Sequence, residues 1–242
     1  MKRPQSALFD RLAAGSQLYA YPPESLRKLN ELVKNKGRTL DVGCGDGTIP
    51  QAFDAPWVTG FDVSFRCAAL ARGRGVVSVV ADAAGGFPYA TDSFDTVYCV
   101  DVLHHLERRW RPVFDEVNRV LRPGGTLVIV EPDARNAFVR WTQAPDSPIR
   151  VAPCDNEPAI DPSDLLPLLQ ACGFEASCHS IHIEGEQVER SVFPLWQRLA
   201  KAPFTLLLSF LYRNVPNKFA IIVTKAGDTR GEVPAASRES AV

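Results

Sequence analysis

The sequence predicts an α/β fold built on a mostly parallel sheet, and three observations lead there. Apolar, β-rich runs recur at Arg38–Val42, Trp57–Asp62, residues 76–81, Phe94–Val100 and residues 126–131, with stretches of helical character between them, as expected of βαβ units. A glycine-rich turn, TLDVGCGDGT at residues 39–48, follows directly on the first run, where glycines let the backbone turn tightly and approach a ligand. The 242 residues, 45% hydrophobic and 23% charged, suffice to bury one substantial core, so a single domain over residues 1–225 is expected.

Taken in order, residues 1–36 are expected to form a helical cap ahead of the first strand. The clearest helix covers residues 111–121, where Val113, Phe114, Val117, Val120 and Leu121 make one apolar stripe that should pack on the sheet, and Pro123-Gly124-Gly125 stops it. After residue 131 the pattern changes. A Pro-rich loop runs to Pro158, a short helix starts near Asp161, and strands follow at residues 175–183 and 218–224. The last pair leaves no room for a parallel crossover, so one antiparallel strand is expected at that edge. Between them, residues 184–217 form an insertion, and residues 226–242 have so little apolar content that they read as a disordered tail.

Composition excludes several function classes. Lys and Arg number 27 against 28 Asp and Glu, with no dense basic cluster, so no nucleic-acid partner is expected. The six cysteines, Cys44, Cys67, Cys99, Cys154, Cys172 and Cys178, contain no C-x-x-C pair and several sit in apolar runs, which suggests reduced thiols and a cytoplasmic location. The basic start of the chain has no apolar stretch behind it, so no signal peptide is expected, and no run is long enough to span a bilayer.

The residues between the glycines discriminate among nucleotide-type ligands. A phosphate-cradling loop ends in Gly-Lys-Ser/Thr, whereas Gly47 is followed by Thr48 and Ile49. A dinucleotide fingerprint G-x-G-x-x-G would need its third glycine at Thr48, and would aim a pyrophosphate at a loop already carrying Asp41 and Asp46. The same carboxylates suit a cofactor bearing an ammonium and a sulfonium, as S-adenosylmethionine does. Asp62 ends the second run, 21 positions after Asp41, where a carboxylate can accept from ribose hydroxyls; the competing role is a helix N-cap, which Ser64 could fill equally well. Asp82, followed by Ala83, closes the third run, where it can meet an adenine amino group or serve only as a turn.

Four stretches, TLDVGCGDGT, VTGFDVS, VVADAAGGFPYATDSFDTVYCVDVLHHL and RVLRPGGTLVIVEP, resemble successive motifs of class I S-adenosylmethionine-dependent methyltransferases, especially the branch containing quinone and small-molecule methyltransferases. The match is close over about residues 37–132. The resemblance implies a Rossmann-like seven-stranded sheet of order 3-2-1-4-5-7-6, last strand antiparallel, flanked by helices. It also implies a cofactor over the carboxyl ends of the first strands, touching Asp41, Gly43, Cys44, Gly45, Asp62, Val63, Asp82, Ala83, Val100 and Asp101. His104 and His105, just past the fourth strand, are the candidate catalytic bases, since a histidine can accept a proton from a hydroxyl or an acidic carbon. One of the two could equally pack or cap a turn.

No resident metal is expected, although Asp101 and Asp133 end adjacent strands as two ligands would in catechol-type O-methyltransferases, with Asn136 displaced from the third position. Glu131, Asp133 and the loop at residues 154–158 are read as lining an acceptor pocket, the alternative being simply polar loop residues. Tyr19, Tyr21 and Trp141 are candidate apolar walls. Residues 190–218 combine many large apolar side chains with Arg190, Arg198, Lys201, Arg213 and Lys218 and no acid, a composition suited to a helical lid touching an anionic membrane surface; burial against the domain or a homodimer interface are the alternatives. The expected activity is methyl transfer to a small lipophilic acceptor such as a quinone or lipid, by a monomer or homodimer. The alternatives are a cofactor-binding regulatory subunit without turnover, methylation of a polar metabolite such as a sugar, and an NAD-dependent oxidoreductase, which Thr48 and the acidic loop disfavour.

Overall fold

The computed structural model describes residues 5–14, 21–33, 36–144, 158–181 and 217–226. Two helices precede the sheet, α1 (Gln5–Ala13) and α2 (Pro23–Glu31). Then come β1 (Arg38–Val42), α3 (Thr48–Gln51), β2 (Trp57–Asp62), α4 (Phe65–Gly73), β3 (Val77–Val80) and β4 (Phe94–Val100). The remainder comprises α5 (Trp110–Val120), β5 (Leu121–Pro132), α6 (Ala137–Gln143), α7 (Pro162–Ala171), β6 (Phe174–Ile181) and β7 (Lys218–Lys225). One sheet holds all seven strands in the order β3-β2-β1-β4-β5-β7-β6. Neighbours from β3 to β5 pair in parallel, and β7 runs antiparallel to both β5 and β6. The expected topology is therefore the observed one.

Strand alternation divides the core between the two faces of the sheet. Val97 and Cys99 of β4, with Leu127 and Ile129 of β5, join Val113, Phe114 and Val117 of α5 and Leu165 and Leu169 of α7. Tyr98 and Val100, with Val128 and Val130, turn the other way onto Leu29 of α2 and Ile49 and Phe53 beside α3. The stripe read for residues 111–121 is this α5 interface, displaced by one residue at each end.

The strand at residues 126–131 extends further than its composition suggested. Pro123-Gly124-Gly125 reads as a stop, yet β5 begins at Leu121, directly on the end of α5. Leu121 pairs with Phe94 before the register shifts between Phe94 and Thr96, so an irregularity in the ladder accommodates Pro123, Gly124 and Gly125. The residues at 145–157, most of the insertion at 184–217 and residues 227–242 lie outside the described residues, and so does Tyr19. No helix among the described residues is long and apolar enough to cross a membrane. Cys44, Cys67, Cys99, Cys172 and Cys178 are all unbridged.

Candidate functional site

The glycine turn lies across the ends of β1 and β2. Gly43 N and Cys44 N both donate to Phe61 O, at 2.9 and 3.0 Å. Gly43 has φ +72°, and a Cβ there would stand 2.6 Å from Cγ2 of Val102, so only glycine allows the loop to come this close to the end of β4. Asp62 closes the turn from the β2 side, its carboxylate accepting from Gly45 N at 3.0 Å and Ser64 N at 2.8 Å. Burial pushes the Asp62 carboxyl above its usual range, and the two backbone donors pull against that. Helix capping falls to Ser64, whose hydroxyl accepts from Cys67 N at the start of α4. Asp62 is thereby left facing an open space.

That space is a cleft of about 480 Å³ over the carboxyl ends of β1, β2 and β4. Gly43, Gly45, Asp62 and Val63 form one wall, Asp82 and Ala83 a second, and Asp101 and His105 a third. Asp82 also caps the turn at Ala83–Gly85 by accepting from Ala84 N, the turn role read for it. Helix α1 roofs the cleft with Ser6 and Phe9, and Phe9 meets the His105 ring edge-on at 5.1 Å.

Four of the candidate site residues stand outside the lining. Cys44 points away from the cleft into a small cluster with Ala71 and Val76, and Val100 belongs to the core on the opposite sheet face. Asp41 is 2% exposed and sits two residues before the lining Gly43. Burial and the nearby Asp62 charge hold its carboxyl well above the usual range, and no side-chain hydrogen bond satisfies it among the described residues. His104 is the fourth. Its Nδ1 lies 2.6 Å from Glu131 Oε2, so the ring is turned onto a buried carboxylate and only His105 reaches the cleft.

Glu131 is a correction of a different kind. Read as a pocket wall, it is fully buried and accepts from Val102 N at 2.9 Å and Leu103 N at 2.6 Å. Its function is to tie down the turn Leu103–Leu106 that carries both histidines. Asp133 is also outside the cleft lining, pairing with Arg135 at 2.7 Å, while Asn136 caps α6. Trp141 lies beside Phe138 on α6 rather than in the cleft wall.

Asp101 has φ +52° and lines the cleft from the end of β4. Behind it Lys218, the first residue of β7, places Nζ 2.5 Å from both carboxylate oxygens, and the Tyr21 hydroxyl donates to Oδ2. Lys218 is only 2% exposed, which removes it from the basic residues assigned above to a membrane contact. Tyr21, read as an apolar wall, contributes its hydroxyl. Among the described residues, Asp101, His104 and Glu131 hold ligand-type atoms within 4.8 Å of one another, but the Lys218 ammonium already supplies a cation at Asp101. Sequence reasoning placed Lys218 with the basic residues of the insertion and Tyr21 as an apolar wall, and so missed their joint role at Asp101; a lysine opening the apolar run KFAIIV is the local sign.

The donor set fits S-adenosylmethionine. Four carboxylates, Asp62, Asp82, Asp101 and the exposed Glu107, line one cleft with a single guanidinium, that of the exposed Arg109, beside the buried Asp41 carboxyl, and apolar Phe61, Val63 and Leu106 complete the lining. Such a cleft favours a ligand that combines cationic centres, ribose hydroxyls and a flat ring. A doubly wound sheet with this site defines a nucleoside-cofactor enzyme fold. Residues 40–129 match the family described as Methyltransferase domain. A segment of 104 residues is 38% identical to 27-O-demethylrifamycin SV methyltransferase of Amycolatopsis mediterranei, covering 38% of this chain and 37% of that protein. Another of 123 residues is 32% identical to a fatty-acid O-methyltransferase of Mycolicibacterium smegmatis, covering 47% and 44%. The chain thus spans less than half the length of these curated relatives. The crystal structure of a methyltransferase from Thermotoga maritima superposes with a TM-score of 0.57 at 19% identity, over 91% of this chain and 93% of that one. Residues 40–129 therefore carry a match to a methyltransferase domain, and the fold is that of solved S-adenosylmethionine-dependent methyltransferase structures.

Proposed function

We propose that this chain transfers a methyl group from S-adenosylmethionine to a small, lipophilic acceptor. The observation that carries the reading is the cleft in which Asp62, Asp82 and Asp101 converge beneath the apolar roof of α1. When bound, the cofactor supplies an electrophilic methyl group on a sulfonium. The chain's own contribution is orientation and the exclusion of water, which can supply about 7–11 kcal/mol. Asp62, held by Gly45 N and Ser64 N, keeps a fixed direction for hydroxyl donors. Phe9 of α1 covers the cleft and packs on His105, whose ring is the proton acceptor nearest an incoming hydroxyl or acidic carbon.

Two of the similar proteins are named for rifamycin and fatty-acid substrates, which supports an apolar acceptor. The composition of residues 190–217, rich in Leu, Phe and Arg without an acid, supports delivery from an anionic lipid surface. The test is incubation with methyl-labelled cofactor and fractionated lipid and polar extracts, read by mass spectrometry. Label entering a lipid-fraction compound is expected. Label confined to polar metabolites would overturn the acceptor class, and calorimetric binding of NAD without binding of S-adenosylmethionine would overturn the reaction. Flotation with anionic and neutral liposomes at low and high salt tests the surface contact; a protein that never floats refutes it.

A further inference from the structure

Asp101 is a cleft carboxylate at the end of β4 that is bonded to a cation from β7, two strands away across the sheet. It stands in the left-handed backbone region, with its N–H donating to Val130 O at 2.9 Å, and it is only 6% exposed. A carboxylate so placed, near the equally buried Glu131, would be driven toward its neutral form without a compensating charge. Lys218 supplies that charge at 2.5 Å from each oxygen. Its backbone is locked between Pro132 of β5 and Ile181 of β6, so the ammonium is fixed by the sheet itself. Tyr21 completes the cradle. Its hydroxyl donates to Asp101 and lies 3.3 Å from Lys218 Nζ, which stands 5.5 Å from the centre of the Tyr21 ring. Tyr21 and Lys218 both lie outside the segment that matches the methyltransferase family, residues 40–129.

We propose that Lys218 is a positioning residue for the cofactor site: with Tyr21 it holds Asp101 as an oriented carboxylate at the cleft floor, so that the cleft keeps a fixed negative charge toward a cationic ligand. The inference rests on the S-adenosylmethionine reading. Other groups near Asp101 are His104 and Glu131, already bonded to each other, and His105 on the same turn. None of them is a permanent cation, and Lys218 is the ammonium that pairs with Asp101. Removing the ammonium makes ligand affinity depend on whether Asp101 is protonated, whereas a spacer role would leave no such dependence.

The experiment is calorimetric titration of S-adenosylmethionine into the wild type, Lys218→Met, Lys218→Arg and Tyr21→Phe from pH 6 to pH 9, with melting curves to establish folding. Each variant's affinity is divided by the wild-type value at the same pH, which cancels the titration of the histidines. Lys218→Met is expected to bind about tenfold or more weakly at the acidic end, the gap closing as pH rises and Asp101 ionises. Lys218→Arg restores most of the loss, and Tyr21→Phe shows the same pH trend with smaller amplitude. A gap that is absent or constant with pH, in a folded wild type that binds, overturns the role of Lys218 and leaves the cofactor reading intact. If Lys218→Met does not fold, Tyr21→Phe decides, and a pH-independent ratio there overturns the proposal. A wild type that binds no S-adenosylmethionine at any pH overturns both.

Discussion

Asp41→Asn should make the ligand-free protein more stable at neutral pH. The carboxyl is 2% exposed, and burial together with the Asp62 charge raises it well above its usual range. Asp62 ionises first because two backbone N–H groups stabilise its anion, and its charge then opposes ionisation of Asp41. For a buried acid of this kind the unfolded chain releases its proton near pH 3.9 while the folded chain retains it. Between the unfolded and the native value the unfolded state therefore binds one proton fewer, and stability falls by about 1.4 kcal/mol per pH unit. Below that window the contribution is fully present; above it the loss is complete. Asparagine is nearly isosteric with the protonated acid and cannot ionise, so the two proteins should coincide at pH 3.5 and then diverge. For a chain of this size the divergence corresponds to roughly 3–5 °C in Tm per pH unit within the window. Melting curves of both proteins from pH 3.5 to pH 8, taken as a difference, isolate the effect from every other titrating group. A flat difference would mean that Asp41 is ionised in the folded protein, and the orphaned acid behind the glycine loop would not exist.

Three further outcomes are expected. Asp62→Ala removes the acceptors facing the cleft and should weaken S-adenosylmethionine binding about ten- to a hundredfold by calorimetry; an unchanged affinity would take Asp62 out of the site. His105→Gln should lower turnover by ~10²–10⁴ with little change in cofactor affinity, whereas His104→Gln should act through stability, lowering it by about 1–3 kcal/mol as Glu131 loses its partner; steady-state kinetics beside denaturant melts separate the two, and the reverse pattern would exchange their roles. Gly47→Ala should destabilise the fold by about 1–3 kcal/mol in urea denaturation, because φ is +86° and the new Cβ would stand 2.7 Å from the Ala71 backbone, so a neutral result would show that α4 can yield.

What the sequence disclosed and what it hid divide along a physical line. The strands Arg38–Val42, Trp57–Asp62 and Phe94–Val100 were legible to the residue because each is a short stretch rich in apolar and β-branched residues, with stretches of helical character between them, and most of their residues are buried. The cleft-facing acids Asp62 and Asp82 were legible because both stand at the ends of such runs. The direction of a side chain was not legible. His104 and His105 are neighbours of one type in one turn, and only the fully buried Glu131, 27 residues from His104, decides which ring faces inward. Lys218 was misread for the same reason, since its partner Asp101 lies 117 residues away and nothing in its neighbourhood reveals it. Local composition therefore counted it among the basic residues of the preceding insertion.

The two buried acids nearest the glycine turn and the floor of the cleft have opposite electrostatic histories. Asp101 is matched within the protein by the Lys218 ammonium, so its charge exists before any ligand arrives. Asp41 has no such match, and burial favours its neutral form. A cationic ligand entering the cleft would find one carboxylate ready and would draw ionisation from the other, so that a proton released on binding is expected from Asp41. An entirely pre-ionised site would add an uncompensated charge at Asp41 beneath the loop, at a desolvation cost that a domain of marginal stability does not readily bear. An entirely neutral one would offer a cation no field. Dividing the acids in this way leaves the empty cleft stable and still negative, because the compensation for Asp101 comes from β7, behind the site, where it does not occupy the space the ligand needs.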